Sequence, residues 1–167
     1  MKKQQILERV LRPITYDLNM MLRIPAIPRA NGNCAVPLAL YSMAAMGFLG
    51  YLTALDELGE DEPIKRILAF SEPYCEGNIR ETVGSLYNGL TYRLVPEGMG
   101  LARYGHAGLE RDLFAYHGEL VVLNADKLAR VVLDGVLRLE GQLIEDDELA
   151  ERIWDRLMLL SREEGTE

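Results

Sequence analysis

The stretch from Ala35 to Leu55 contains twenty-one residues without one charged side chain, although 26% of the whole chain is charged. About 20 apolar residues are enough to cross the hydrocarbon core of a lipid bilayer. The stretch is therefore either a helix buried on all sides inside a bundle or a membrane span. No other feature of the sequence constrains the fold as strongly.

The composition of this stretch favours the buried helix. Small residues at Ala44, Gly47 and Gly50 let neighbouring backbones approach closely, while Met43 and Phe48 can fill gaps between helices. A single membrane anchor has no need for so many small and polar residues. The membrane alternative rests on charge placement, since arginines precede the stretch and acidic residues follow it.

Length and net charge limit the class of protein. A chain of 167 residues with 49% hydrophobic content can bury a proper core, so we expect one domain over 1–167 with a glycine-rich loop and hairpin inserted at about 97–124. A net charge of -8 disfavours non-specific binding to nucleic acid or to anionic membranes. The N-terminal segment lacks the apolar core of a signal peptide, which predicts a cytoplasmic protein.

Hydrophobic residues recur at spacings of three and four, which predicts a mainly α fold with five to six helices. Pro13 should kink the first helix or divide it into two. The apolar helix should end near Leu58, and a short helix from Pro63 should break at Ser71. A further helix is expected to begin at Asn78, where Glu81 completes a capping box.

A small β-hairpin is predicted before the last two helices. Leu113 to Tyr116 and Leu120 to Leu123 have the composition of strands and flank a short turn, and Leu101 to Tyr104 could add a third strand. The two following helices should begin at Asn124, a good N-cap, and at Asp146 or Asp147. The expected fold is thus a helical bundle with one small inserted hairpin.

The sequence contains no recognisable metal or cofactor motif. Cys34, Cys75, His106 and His117 do not have the spacing of zinc ligands, and neither a nucleophile elbow nor a phosphate-binding glycine loop occurs. We therefore expect no metal and no cofactor. In a reducing compartment, each cysteine is expected to be a free thiol. The alternative is a disulfide between Cys34 and Cys75.

The region from Tyr87 to Gly108 collects most of the candidate functional side chains. Arginine and histidine together could bind a phosphodiester and transfer protons, as a ribonuclease requires. In the structural alternative, the arginines form salt bridges, the tyrosines pack by their rings and the histidine caps the hairpin. The candidate binding residues are Tyr87, Tyr92, Arg93 and Tyr104, and the candidate catalytic residues are Arg93, Arg103 and His106.

Three segments, Phe70 to Tyr74, Leu86 to Pro96 and Leu120 to Asn124, resemble those of bacterial helical proteins in the HEPN (higher eukaryotes and prokaryotes nucleotide-binding) superfamily. That resemblance implies a helical bundle and a setting in bacterial defence or toxin–antitoxin regulation. Catalytic members carry an arginine and a histidine separated by four residues. This chain has Thr91 and Pro96 at those positions, so the resemblance implies a non-catalytic member.

The sequence thus favours a helical protein that is not an enzyme and works through protein contacts, as a homodimer or with another protein. Neither a membrane nor nucleic acid is the favoured partner. The alternative is a HEPN-type ribonuclease in which Arg93 and His106 act from shifted positions.

Overall fold

A computed structural model describes residues 1–23, 35–56, 58, 62–76, 102–105, 112–117 and 120–163. Its elements are helix α1 (Lys2–Ile6), a π-helical turn (Leu7–Leu11), α2 (Arg12–Arg23), α3 (Ala35–Thr53), α4 (Pro63–Tyr74), strands β1 (Ala102–Gly105), β2 (Phe114–His117) and β3 (Leu120–Asn124), and helices α5 (Ala125–Glu145) and α6 (Asp147–Glu163). The predicted mainly α bundle with a hairpin before the last two helices is confirmed. The helix predicted to start at Asn78 lies outside the described residues.

Helix α3 is the central helix of the described bundle. It is apolar on every side, and it packs most extensively against α4 and then against α5. Its fully buried side chains include Leu38, Met46, Leu49 and Leu52. Among the residues that the structure describes, no helix is long and apolar enough to span a membrane.

Gly50 marks the closest approach between α3 and α4. A Cβ atom added at Gly50 would lie 1.6 Å from the carbonyl oxygen of Arg66, so the two backbones are in direct contact there. Gly47, one turn earlier, has more room, since a Cβ atom there would lie 3.8 Å from Ile67. The predicted close approach at small residues of α3 is therefore confirmed at Gly50.

Two predicted helix ends are wrong. Helix α3 ends at Thr53 rather than near Leu58. Beyond Thr53, backbone carbonyl oxygens accept hydrogen bonds from arginine side chains of other helices: Asp56 from Arg156, and Leu58 from Arg66. Helix α4 continues through Ser71 and ends at Tyr74 with Pro73 inside it. Because Pro73 lies in the last turn, its missing N–H removes only one terminal hydrogen bond.

Pro13 does not divide the first helix. The backbone remains helical from Lys2 to Arg23, and the irregularity expected from the proline is a π-helical turn over Leu7–Leu11, just before it. A π-helical turn is wider than an α-helical one, which accommodates the proline ring and its missing N–H without a break.

The three strands form one sheet in the order β1-β3-β2. Strands β2 and β3 are the predicted antiparallel hairpin, with Phe114 opposite Leu123. Strand β1 confirms the predicted third strand and pairs parallel to β3, with Arg103 opposite Val122. The backbone N–H of Asn124, which ends β3, donates to the carbonyl oxygen of Leu113 at 2.9 Å.

Capping residues start the last two helices where the sequence predicted. The side-chain oxygen of Asn124 accepts a hydrogen bond from the backbone N–H of Lys127 at 3.3 Å, which caps α5. The carboxylate of Asp146 accepts one from the N–H of Leu149 at 2.9 Å, which caps α6. The core side chains of these two helices include Leu128, Val132, Leu133, Val136, Leu139, Leu143, Leu149 and Ile153.

Candidate functional site

Most of the residues predicted from the sequence to bind or catalyse lie outside the described part of the chain. Tyr87, Tyr92, Arg93 and His106 all lie there. Arg103 and Tyr104 belong to β1, of which the structure describes the backbone. Their convergence into one site therefore stays a prediction.

An apolar groove of about 300 Å³ opens between the N-terminal helices, α3 and α6. We call it the apolar groove, and it is lined by Gln5, Arg9, Val10, Pro13, Ile14, Phe48, Trp154, Leu157, Met158 and Ser161. It is the feature of the described structure best suited to contact with another protein, because apolar side chains form most of its wall.

Two large side chains of the apolar groove reach solvent. Phe48 is 38% exposed and Met158 is 40% exposed. Trp154 and Leu157, which also line the apolar groove, are half-buried. Phe48 belongs to the helix that is otherwise the centre of the core, and Ala44, one turn before it, is also exposed. One face of α3 is therefore left uncovered at the apolar groove.

The exposed apolar surface continues along α2. Pro13 lines the apolar groove, and Tyr16 and Met20 follow it at spacings of three and four residues, which puts them on the same helical face. Tyr16 is 64% exposed and Met20 is 44% exposed. The apolar groove and this face of α2 thus offer one extended surface rather than a single exposed residue.

Charge is sparse in the apolar groove. Arg9 is the one charged residue among the described residues that line it. The chain as a whole carries a net charge of -8. This surface therefore lacks the acidic side chains that would repel a second copy of the chain at close range.

The described residues offer little that could perform chemistry on their own. They contain no group of three or more His, Cys, Asp or Glu side chains placed to hold a metal ion. Cys75 is a free thiol, as predicted, and burial raises its pKa to about 12. A thiol with so high a pKa is a poor nucleophile at neutral pH. Cys34 lies outside the described residues.

Sequence reasoning did not identify the apolar groove. It assigned Trp154 and Leu157 to the buried face of α6, where the structure has both half-buried in the wall of the groove. Phe48 could not be singled out, because a helix that is apolar on every side gives no periodicity from which to locate its exposed face.

The chain matches no protein-family model, no curated protein and no solved structure. The resemblance to the HEPN superfamily accordingly stays an expectation from the sequence.

Proposed function

We propose that this is a cytoplasmic, non-catalytic protein that works by binding a second copy of itself through the apolar groove. The observation that carries the proposal is the exposure of Phe48, a large aromatic side chain on the central helix of the bundle. Aromatic and methionine side chains are enriched at the centres of protein interfaces, where Phe48 and Met158 would serve as anchors. The defence or toxin–antitoxin setting rests on the sequence resemblance alone.

A second copy is the partner that best suits this surface. Most soluble oligomers are symmetric dimers in which the same patch contacts itself. The apolar groove combines the exposed ring of Phe48 with a depression beside it, which is what a self-complementary contact requires. The single cation Arg9 is too little positive charge to favour a nucleic acid or an anionic membrane.

Light scattering coupled to size-exclusion chromatography tests the self-association. We expect the wild-type protein to have twice the monomer mass of 18.8 kDa, and Phe48→Glu and Met158→Glu to be folded monomers, because each would bury a carboxylate in the contact. Leu137→Glu is the matched control, since Leu137 is 57% exposed on α5 and outside the groove, and it should remain dimeric. A monomeric wild-type protein at high concentration, or a Phe48→Glu variant that still dimerises, would refute the proposal.

An RNA-cleavage assay tests the non-catalytic part of the proposal. Wild-type protein should cleave RNA no faster than Arg93→Ala and His106→Ala variants prepared in the same way. Cleavage by the wild type that is lost in both variants would instead establish the ribonuclease alternative.

A further inference from the structure

A second cleft, of about 460 Å³, lies between the segment that follows α3, helix α4 and the start of α6. Its volume falls within the range of roughly 300–1,000 Å³ that is typical of small-molecule sites. The side chains of Leu55, Leu58 and Leu68 supply apolar surface to its wall. We call it the Arg152 cleft, and it shares no lining residue with the apolar groove.

Arg152 lines this cleft, and its charge acts on the carboxylate of Asp146, whose pKa is lowered chiefly by the hydrogen bond from the backbone N–H of Leu149 and in part by Arg152. Its Nε atom is buried and has no hydrogen-bond partner, and its guanidinium forms no ion pair with any residue that the structure describes. By contrast, Arg156 on the next turn of α6 donates to two backbone carbonyl oxygens. A buried N–H donor without a partner is costly, and native proteins rarely retain one without a reason.

Tyr74 brings a second donor to the same cleft. Its side chain is only 6% exposed, and its ring stacks on Phe70 with centroids 5.4 Å apart. Tyr74 lines the cleft, and its hydroxyl makes no hydrogen bond within the described part of the chain. Burial raises the pKa of Tyr74, with the charge of Arg152 opposing it, so the hydroxyl stays protonated and can donate at neutral pH.

We propose that the Arg152 cleft binds a small monocarboxylate with an apolar body. The carboxylate would accept hydrogen bonds from the guanidinium of Arg152 and the hydroxyl of Tyr74, while its apolar body packs against the leucine wall. A doubly charged phosphate is a worse ligand, because it is repelled more strongly than a monoanion by the carboxylates of Asp56 and Glu72, which line the cleft, and of Asp146, on which the charge of Arg152 acts. This inference does not depend on self-association through the apolar groove.

Titration calorimetry on the wild-type protein with sodium octanoate and with octan-1-ol tests this proposal. The two probes share an apolar chain and differ in the carboxylate. We expect saturable binding of octanoate at pH 7 that is at least about tenfold tighter than binding of octanol, as charge-assisted hydrogen bonds imply. Absence of octanoate binding, or equal affinity for the two probes, would overturn the proposal without need of any variant.

Two variants separate ligand binding from a structural role of Arg152. Arg152→Gln should weaken octanoate binding at least about tenfold. Arg130→Gln is the control, because Arg130 lies on α5 outside the cleft and is paired with Asp134, and the octanoate affinity of this variant should stay within about twofold.

The stability of Arg152→Gln without octanoate is the second readout. Because the buried Nε atom of Arg152 has no hydrogen-bond partner, replacing this side chain should leave the urea midpoint unchanged or raise it. A lowered midpoint together with unchanged octanoate affinity would assign Arg152 a structural role and overturn the proposal.

Discussion

The guanidinium of Arg156 in α6 donates a hydrogen bond to the backbone carbonyl oxygen of Tyr51 in α3, 105 residues earlier in the chain. The same guanidinium donates to the carbonyl oxygen of Asp56 at 2.9 Å. In α4, Arg66 donates to the carbonyl oxygen of Leu58 at 3.0 Å. The guanidinium carbon of Arg66 lies 4.8 Å from the centre of the Tyr51 ring. Two arginines thus satisfy the carbonyl groups at and beyond the C-terminus of α3, where the helix dipole also favours positive charge.

Arg156→Lys should lower the free energy of unfolding by about 1–3 kcal/mol. A lysine keeps the charge but loses the planar fork that reaches two carbonyl oxygens at once, and hydrogen bonds from charged groups contribute about 1.5–3 kcal/mol each. Urea unfolding followed by circular dichroism measures the change. Arg130→Ala is the control, because its ion pair with Asp134 is solvent-exposed and should contribute less than about 0.5 kcal/mol. Equal losses in the two variants would contradict this account of the α3 terminus.

Gly50→Ala should destabilise the protein by about 3 kcal/mol or more, because the added methyl group would overlap the carbonyl oxygen of Arg66 and push α3 away from α4. Gly141→Ala is the matched control in α5. An added Cβ atom there meets nothing within 4 Å, so this variant should gain about 0.5–1 kcal/mol from helix propensity. Thermal unfolding should therefore shift in opposite directions for the two substitutions, and a shift in the same direction would refute the close crossing at Gly50.

Tyr41→Phe should cost about 1 kcal/mol at neutral pH. The hydroxyl of Tyr41 in α3 donates to the carboxylate of Asp17 in α2 at 2.7 Å, and the variant loses this bond between helices. Urea unfolding at pH 7 measures the loss. Tyr16→Phe is the control, since Tyr16 is exposed on the same helix as Asp17, and it should leave stability unchanged.

The same contact predicts how stability falls at alkaline pH. Burial first, and then the hydrogen bond and charge of Asp17, raise the pKa of Tyr41 from 10.0 to about 12 in the folded protein. Between pH 10 and 12 the unfolded chain loses this proton while the folded chain keeps it, so unfolding becomes more favourable as pH rises. Urea midpoints measured across this range should fall less steeply in Tyr41→Phe than in the wild type. Parallel slopes would mean that Tyr41 does not contribute to the alkaline loss.

The helix starts and the hairpin could be predicted, because residues close together in the chain specify them. Asn124 and Asp146 were recognised as helix starts because a capping side chain bonds to the backbone N–H three residues later. The hairpin of β2 and β3 was predicted from two strand-like runs around a short turn. The parallel pairing of β1 with β3 was not predicted, because it joins strands that are not neighbours in the chain.

The sequence by itself determined that the stretch forming α3 is withdrawn from water, since a long stretch without charge cannot face water on all sides, and its small residues favoured a buried helix over a membrane span. Only the tertiary structure decided where α3 ends, because Arg156 bonds to a carbonyl oxygen in its last turn, and Arg156 and Arg66 bond to carbonyl oxygens in the segment that follows it. The exposure of Phe48 was likewise decided by which helices pack around α3. The meeting of Arg152 with Tyr74 depends on the packing of α4 against α6. Contacts between residues so far apart in the chain leave no local pattern, because they arise only when the helices pack together.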